Sequence, residues 1–498
     1  MAGSYLGSFV LFNSYTFILF FLPATLAVFF LLGQRGLTRG AGLWLVLASL
    51  FFYGWWNPHY LLLIIISITA NYWIGIGINH ARHGRIGVSP KALLTLGVVL
   101  NLGALGYYKY ANFFLTNTER LFGAHWQTPE ILLPLAISFF TFTQIAYLVD
   151  AYQGVTEAYD FLYYALFVSF FPHLIAGPIV SYRRLMPQFA QAQTYQFQPE
   201  NVAAGLSLFS MGLAKKVLIA DNLAPLSQVL FDGASPSSSL IATWMGALAY
   251  TFQLYFDFSA YSDMAIGLAR MFNVRFPLNF NSPYKARDIS DFWRRWHMTL
   301  SHFLRDHLYI PLGGNRHGES RRYLNLMLTM LLGGLWHGAG WTFVLWGALH
   351  GGYLAVHHAW QRSVRNVAWA HGMPFKWAGW GMTFLAVVVG WVFFRSHSCT
   401  QACDILRGMA GLHGMGWSDM PHRRRPFLYL AVAAGIAFCL PNADEFFRLA
   451  ERYTDQNGGR TERRLWQLSP AWAVGTALLL TTCLFNMSKL SEFLYFKF

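Results

Sequence analysis

An all-helical integral membrane protein is the fold class this sequence predicts, and three observations carry the prediction. Of its 498 residues, 55% are hydrophobic and only 12% are charged, about half the charged share of an ordinary soluble domain. Its mean hydropathy is +0.36. Apolar runs of about 20 residues recur along the whole length, each long enough to cross a hydrocarbon core of roughly 30 Å. No soluble stretch is long enough for a second domain. The expectation is a single polytopic membrane domain over 1–498, with roughly 10–12 transmembrane helices plus re-entrant or interfacial helices.

The first apolar run, 12–33, is preceded by no Lys or Arg in residues 1–15. Without a positive n-region or a small-residue cleavage site it reads as a retained span and not a signal peptide. Arg35 and Arg39 follow it. Runs 41–56 and 60–78 are joined by "NPHY" at 57–60, which has no Lys or Arg, and Arg82, Arg85 and Lys91 follow the third run. Cytoplasmic loops collect Lys and Arg, so the N-terminus is expected outside and loops 34–40 and 79–91 inside.

Further apolar runs cover 92–109, 131–150, 160–180, 203–230, 238–256, 322–335, 340–358, 377–395, 427–440 and 471–487. Several can be re-entrant. Residues 448–464 read as a solvated loop. The net charge of +14 fits basic cytoplasmic loops better than nucleic-acid binding, with some charge left for anionic ligands. Cys399 and Cys403 stand four apart, but no second pair supplies a zinc-like set. Metal and disulfide are not expected.

Segment 276–322 is too polar to span and too aromatic for a free loop. From Asp288 it reads as a helix, with Asp288 and Asp291 spaced as an N-terminal cap pair. Ile289, Phe292, Trp293, Trp296, Leu300, Phe303 and Leu304 share one face at helical spacing. Asp291, Arg294, Arg295, Ser301, His302 and Arg305 share the other. Such a cationic amphipathic helix lies at the interface or dips inward, and "PLGGNR" ends it. His297 falls at the border of the apolar face, toward packed protein. Arg294, Arg295 and Arg305 are either interfacial anchors or a grip for phosphate. His297, His302 and His307, five apart, share no face for a metal.

Between Tyr323 and Val356 no residue is charged, which is too long for one ordinary span. Gly333, Gly334, Gly338 and Gly340 bracket His337. Each glycine in a helix interior costs about 1 kcal/mol against alanine, so two helices are expected to meet at "GGLWHGAG". Irregular backbone at membrane depth survives only against protein or a water-filled cavity, so His337 should line a cavity. An ionisable residue there is a functional candidate. A buried neutral imidazole can serve as general base for a hydroxyl attacking an acyl thioester, and His297 can orient the donor or stabilise the oxyanion. The plainer alternatives are a structural His337 bonded to a backbone carbonyl and a Trp-flanked interfacial His297. Asp257 and Asp263 in "LYFDFSAYSDMAIG" read as hydrogen-bonded membrane acids.

Taken together, "DISDFWRRWHMTLSHFLRDHLYIPLGGNR" and "LLGGLWHGAGWTFVLWGALHG" resemble the membrane-bound O-acyltransferase superfamily, closest to its bacterial alginate O-acetyltransferase branch. "SFFTFTQIAYLVDAYQG", "FPHLIAGPIV", "QLYFDFSAYSDMAIGLARMF" and "FLYFKF" agree. The resemblance implies helices around a catalytic tunnel, a catalytic motif region at about 253–358, and His337 and His297 as the two catalytic histidines. It implies no permanently bound cofactor, with acetyl-CoA or another acyl thioester as cytoplasmic donor. It implies a polysaccharide acceptor, an extracytoplasmic acetyltransferase partner protein and a place in the bacterial inner membrane. Arg294, Arg295 and Arg305 are then candidate donor-binding residues. Transfer of another acyl group (D-alanyl, lipid or protein acylation) is the alternative within the family. A proton-coupled transporter, with His337 and Asp257 as relay, is the alternative outside it, although no inverted repeat supports one.

Overall fold

The computed structural model describes residues 11–55, 57–123, 131–155, 160–233, 239–364, 366–367, 372–416, 425–447, 466–487 and 491–494. The solvated loop expected at 448–464 lies outside them. Helix is the regular structure throughout, with no strand element among the described residues. Among the described residues, five continuous helices are long and apolar enough to cross a membrane: Phe17–Gln34, His59–Arg82, Pro90–Phe122, Pro199–Phe231 and Met373–Arg395. Arg425–Cys439 and Pro470–Asn486 are apolar but shorter.

Exposed side chains match a lipid solvent. Phe20 is 70% exposed, Phe122 80% and Phe485 84%, a display that water would penalise. Several polar side chains, by contrast, are buried among the helices, Asn71, Asn101 and Gln144 among them.

The chain divides into two compact units, the first comprising Met1–Leu213, Tyr261–Pro277 and Phe447–Glu492, the second Ala214–Ala260, Leu278–Phe446 and Phe493–Phe498. In the first unit, Thr38–Gly54, His59–Arg82, Pro90–Leu105 and Ile137–Gln153 pack as helices around buried amides. Asn71 and Asn101 exchange hydrogen bonds of 3.3 and 2.6 Å. Gln144 donates to Ser67 at 2.8 Å and accepts from the Tyr164 hydroxyl at 3.2 Å. In hydrocarbon such groups must find partners inside the protein. The expected run 160–180 is divided into Phe161–Ser169 and Phe171–Leu174 at Phe170, whose backbone leaves the helical region, and Pro172 sits in the first turn of the second helix, where its missing N–H costs nothing.

The second unit holds every candidate site residue. A π-turn at Lys215–Ala220 shifts the side-chain register of the long Pro199–Phe231 helix, and Lys216 on that turn is buried. Leu240–Met271 is a 32-residue helix, longer than the expected run 238–256, and carries Asp257. An aromatic core fills the unit. Tyr284 donates to the Thr251 carbonyl at 2.7 Å and accepts from Trp391 Nε1 at 3.2 Å, while Trp346 and Trp391 stack with ring centres 5.9 Å apart.

The helix expected from Asp288 starts there, with the Asp288 carboxylate accepting from the Asp291 N–H at 2.7 Å. It does not run on to Arg305. It ends at Arg295, Trp296 is extended, and a second helix, Met298–Leu304, begins after His297. The glycine-rich hairpin also differs in detail. Glu319–His337 continues through Gly333 and Gly334, and the break falls at Gly338–Gly340, before Trp341–Ser363.

Candidate active site

His337 is the last residue of its helix because Gly338 turns extended. A Cβ at Gly338 would stand 2.1 Å from the Phe343 ring, so glycine lets that ring pack directly against the break. The imidazole is 6% exposed. It stands edge-on to three rings, with centres 5.0 Å from Trp336, 5.2 Å from Trp346 and 5.1 Å from Phe394. On its open side is a pocket that it lines together with Leu254, Asp257, Phe258, Trp296, Trp391, Phe394 and Leu494. The lining is apolar apart from His337, Asp257 and the indole N–H groups.

His297 is fully buried and sits at φ 42°, in the left-handed region. The kink swings its ring against Phe258, edge-on at 4.8 Å, and toward Trp336, with centres 6.4 Å apart. Trp336 therefore lies against both histidines, and Phe258 joins His297 to the pocket wall. Nδ1 of His297 is 3.1 Å from Asn279 Oδ1. That oxygen also accepts from the Thr299 hydroxyl at 2.9 Å and the Thr299 N–H at 3.4 Å. An oxygen already fixed as acceptor makes Nδ1 the protonated nitrogen. Nε2 carries the lone pair, with no hydrogen-bond partner among the described residues. The two helices flanking His297 have seven residues each, too short to span, and burial between them pushes the imidazole down to about 3.

Asp257 is the pocket's anionic wall. Its Oδ1 accepts from Lys216 Nζ at 2.7 Å, and its Oδ2 from the Leu494 N–H at 2.8 Å. Lys216 also meets Asp221 Oδ1 at 2.9 Å. Asp257 is thus the bonded acid that the sequence suggests. Asp263 belongs to the other unit.

The three arginines each meet a carboxylate. Arg295 Nε donates to Asp291 at 2.9 Å, and Arg294 reaches the same carboxylate at 3.9 Å with most of its side chain exposed. Arg305, on a separate π-turn, forks onto Asp306 at 2.7 and 3.1 Å. None lines the His337 pocket.

Sequence reasoning missed Asn279, Lys216 and Leu494. The adjacent Lys215 and Lys216 inside the apolar run 203–230 were the available signal for Lys216, since a buried ammonium demands a carboxylate. Asn279 has no local signal, and Leu494 was visible only as part of the terminal "FLYFKF" stretch, with nothing to mark it as a wall of the site.

A largely apolar pocket with one histidine on its wall and a second behind it suits proton transfer on a small group. Residues 155–400 match the membrane-bound O-acyltransferase family. A peptidoglycan O-acetyltransferase of Helicobacter pylori is 46% identical over 445 residues, 84% of this chain and 83% of that protein. A probable alginate O-acetylase, AlgI, of Pseudomonas aeruginosa is 45% identical over 408 residues, 80% and 75%. A teichoic acid D-alanyltransferase of Bacillus subtilis is 26% identical over 279 residues, 54% and 68%. The chain belongs to the membrane-bound O-acyltransferase family, in the branch that holds these bacterial O-acetyltransferases. It is a multi-pass membrane enzyme that transfers acyl groups to oxygen.

Proposed function

We propose that the protein moves an acetyl group from a cytoplasmic thioester, acetyl-CoA or another acyl carrier, toward hydroxyls of an exported glycan. We place it in the inner membrane, working with an extracytoplasmic acetyltransferase. The two more similar relatives above are named for O-acetylation of a glycan, one of peptidoglycan and one of alginate. Their near-equal identity supports the class of acceptor and leaves both glycans as candidates.

One observation carries the chemistry: His337 lines the pocket at a helix break inside a ring of aromatic side chains. In this reading its imidazole takes the proton of the attacking hydroxyl as the new C–O bond forms. The C–S bond then breaks, and the thiolate leaves with that proton. The aromatic walls exclude water, which would otherwise hydrolyse the thioester. His297 adds a second buried imidazole whose tautomer is set by Asn279. Arg294, Arg295 and Arg305 are the candidates for holding the donor's phosphates.

General-base catalysis is worth roughly 10²–10⁴-fold. His337→Gln keeps most of the size and hydrogen bonding but cannot act as base. Ester-bound acetate in the envelope and secreted glycan fractions, normalised to membrane-embedded enzyme, should fall by at least about 10²-fold. A well-inserted His337→Gln variant with near-parental acetylation would return this histidine to a structural role.

A further inference from the structure

Lys216 and Asp257 are each about 2% exposed. Burying such a pair is no assurance of stability, because desolvation offsets the attraction. What the pair does geometrically is hold another part of the chain. Asp257 Oδ1 takes the ammonium and Oδ2 takes the Leu494 main-chain N–H at 2.8 Å. The ammonium lies 4.8 Å from the centre of the Phe493 ring, within cation–π range. Phe493 and Leu494 are 1% and 8% exposed, and Leu494 lines the same pocket as His337. A segment more than 230 residues from Asp257 in sequence, by the separation of 237, is fastened to the pocket by both members of one ion pair.

We propose that the Lys216–Asp257 pair is a latch that holds Phe493–Leu494 as a wall of the His337 pocket and so positions the acyl group there. The inference rests on the reading of His337 as the reacting group. Both latch residues are positioning residues. The main-chain N–H needs an acceptor at position 257, not a charge. A wall that only shapes the pocket acts mainly on donor binding, so its loss raises KM more than it lowers kcat.

Two charge-balanced double variants separate the latch from the fold. Lys216→Met with Asp257→Asn removes both charges but leaves an amide oxygen for the Leu494 N–H. Lys216→Met with Asp257→Leu removes the acceptor as well. Leu494→Cys, placed in a background with Cys399, Cys403 and Cys439 replaced by alanine, reports the segment through its rate of reaction with N-ethylmaleimide. The Asn double should label as slowly as the single-cysteine parent. The Leu double should label at least about tenfold faster. Without the reporter cysteine, the Leu double should show a donor KM raised about tenfold or more, with kcat within about threefold. Equal labelling in all three backgrounds, or a KM unchanged in the Leu double, overturns the latch. His337→Gln in the reporter background should label slowly. If that variant acetylates normally while the labelling pattern holds, the catalytic reading fails, and the positioning claim with it.

Discussion

At φ 42° His297 holds a conformation that a non-glycine residue adopts at a cost of about 1–3 kcal/mol. The surroundings over-determine it. Asn279 takes Nδ1 through its side chain and the Met298 N–H through its main-chain carbonyl at 2.9 Å, so the ring is fixed from both sides of the kink. The buried ring resists a proton, with its pKa lowered from 6.5 to about 3. Above pH 6.5 the imidazole is neutral folded and unfolded, and stability does not depend on it. Below 6.5 the unfolded chain takes a proton that the fold refuses. Stability therefore falls with pH through this window, by about 1.4 kcal/mol per unit for this group. His297→Gln lacks the term. Its stability deficit against the parent should shrink by about 2 kcal/mol between pH 7 and pH 5, measured by unfolding in detergent. A deficit of the same size at both values would mean that the folded ring accepts the proton.

At the scale of elements, the hairpin of Glu319–His337 and Trp341–Ser363 positions His337, and glycines set how closely its two helices approach. A Cβ at Gly334 would lie 2.3 Å from the Phe343 carbonyl oxygen, and one at Gly347 would lie 2.4 Å from the Met330 carbonyl oxygen. These are backbone contacts that no rotamer relieves, the small-residue packing that apolar solvent favours. Gly352, on the same helix, has nothing within 4 Å of a built Cβ. Gly334→Ala should lower stability by about 1–3 kcal/mol through forced separation of the helices, whereas Gly352→Ala should hold or raise it by up to about 1 kcal/mol. Thermal unfolding in detergent compares them, and a Gly334→Ala variant as stable as Gly352→Ala would refute close approach as the role. Legibility follows the same physics. The charge-free stretch around His337, the broken helix and the Asp288 cap are local signals, and they could be read. The division of labour among the glycines could not, because Gly333 and Gly334 differ from Gly338 only in what faces them. Nor could the kink at His297, where no glycine or proline announces a left-handed residue. The ties of Asp257 to Lys216 and Leu494 join positions whose only shared property is that each needs a buried partner.

For the whole molecule, orientation decides which face meets the cytoplasmic thioester. Helices Phe17–Gln34, Thr38–Gly54, His59–Arg82 and Pro90–Leu105 follow one another through connections of a few residues, so successive connections must alternate sides if each helix crosses. The first and third carry Arg35, Arg82, Arg85 and nearby Arg39 and Lys91, while the second, around Asn57 and Pro58, carries no Lys or Arg. Placing the basic connections in the cytoplasm follows from the bias against translocating Lys and Arg near span ends. Gln34, Pro58 and Gly87 are exposed, and a Cβ at Gly87 meets nothing within 4 Å. Single cysteines at these positions, with the exposed native cysteines removed, therefore report sidedness with little disturbance. In intact cells a membrane-impermeant maleimide should reach Pro58→Cys and should reach Gln34→Cys and Gly87→Cys only after permeabilisation. Ready labelling of Gly87→Cys from outside, with Pro58→Cys protected, would invert the topology. The thioester would then have to approach from the side of the 55–58 connection, and the donor route proposed here would fail with it.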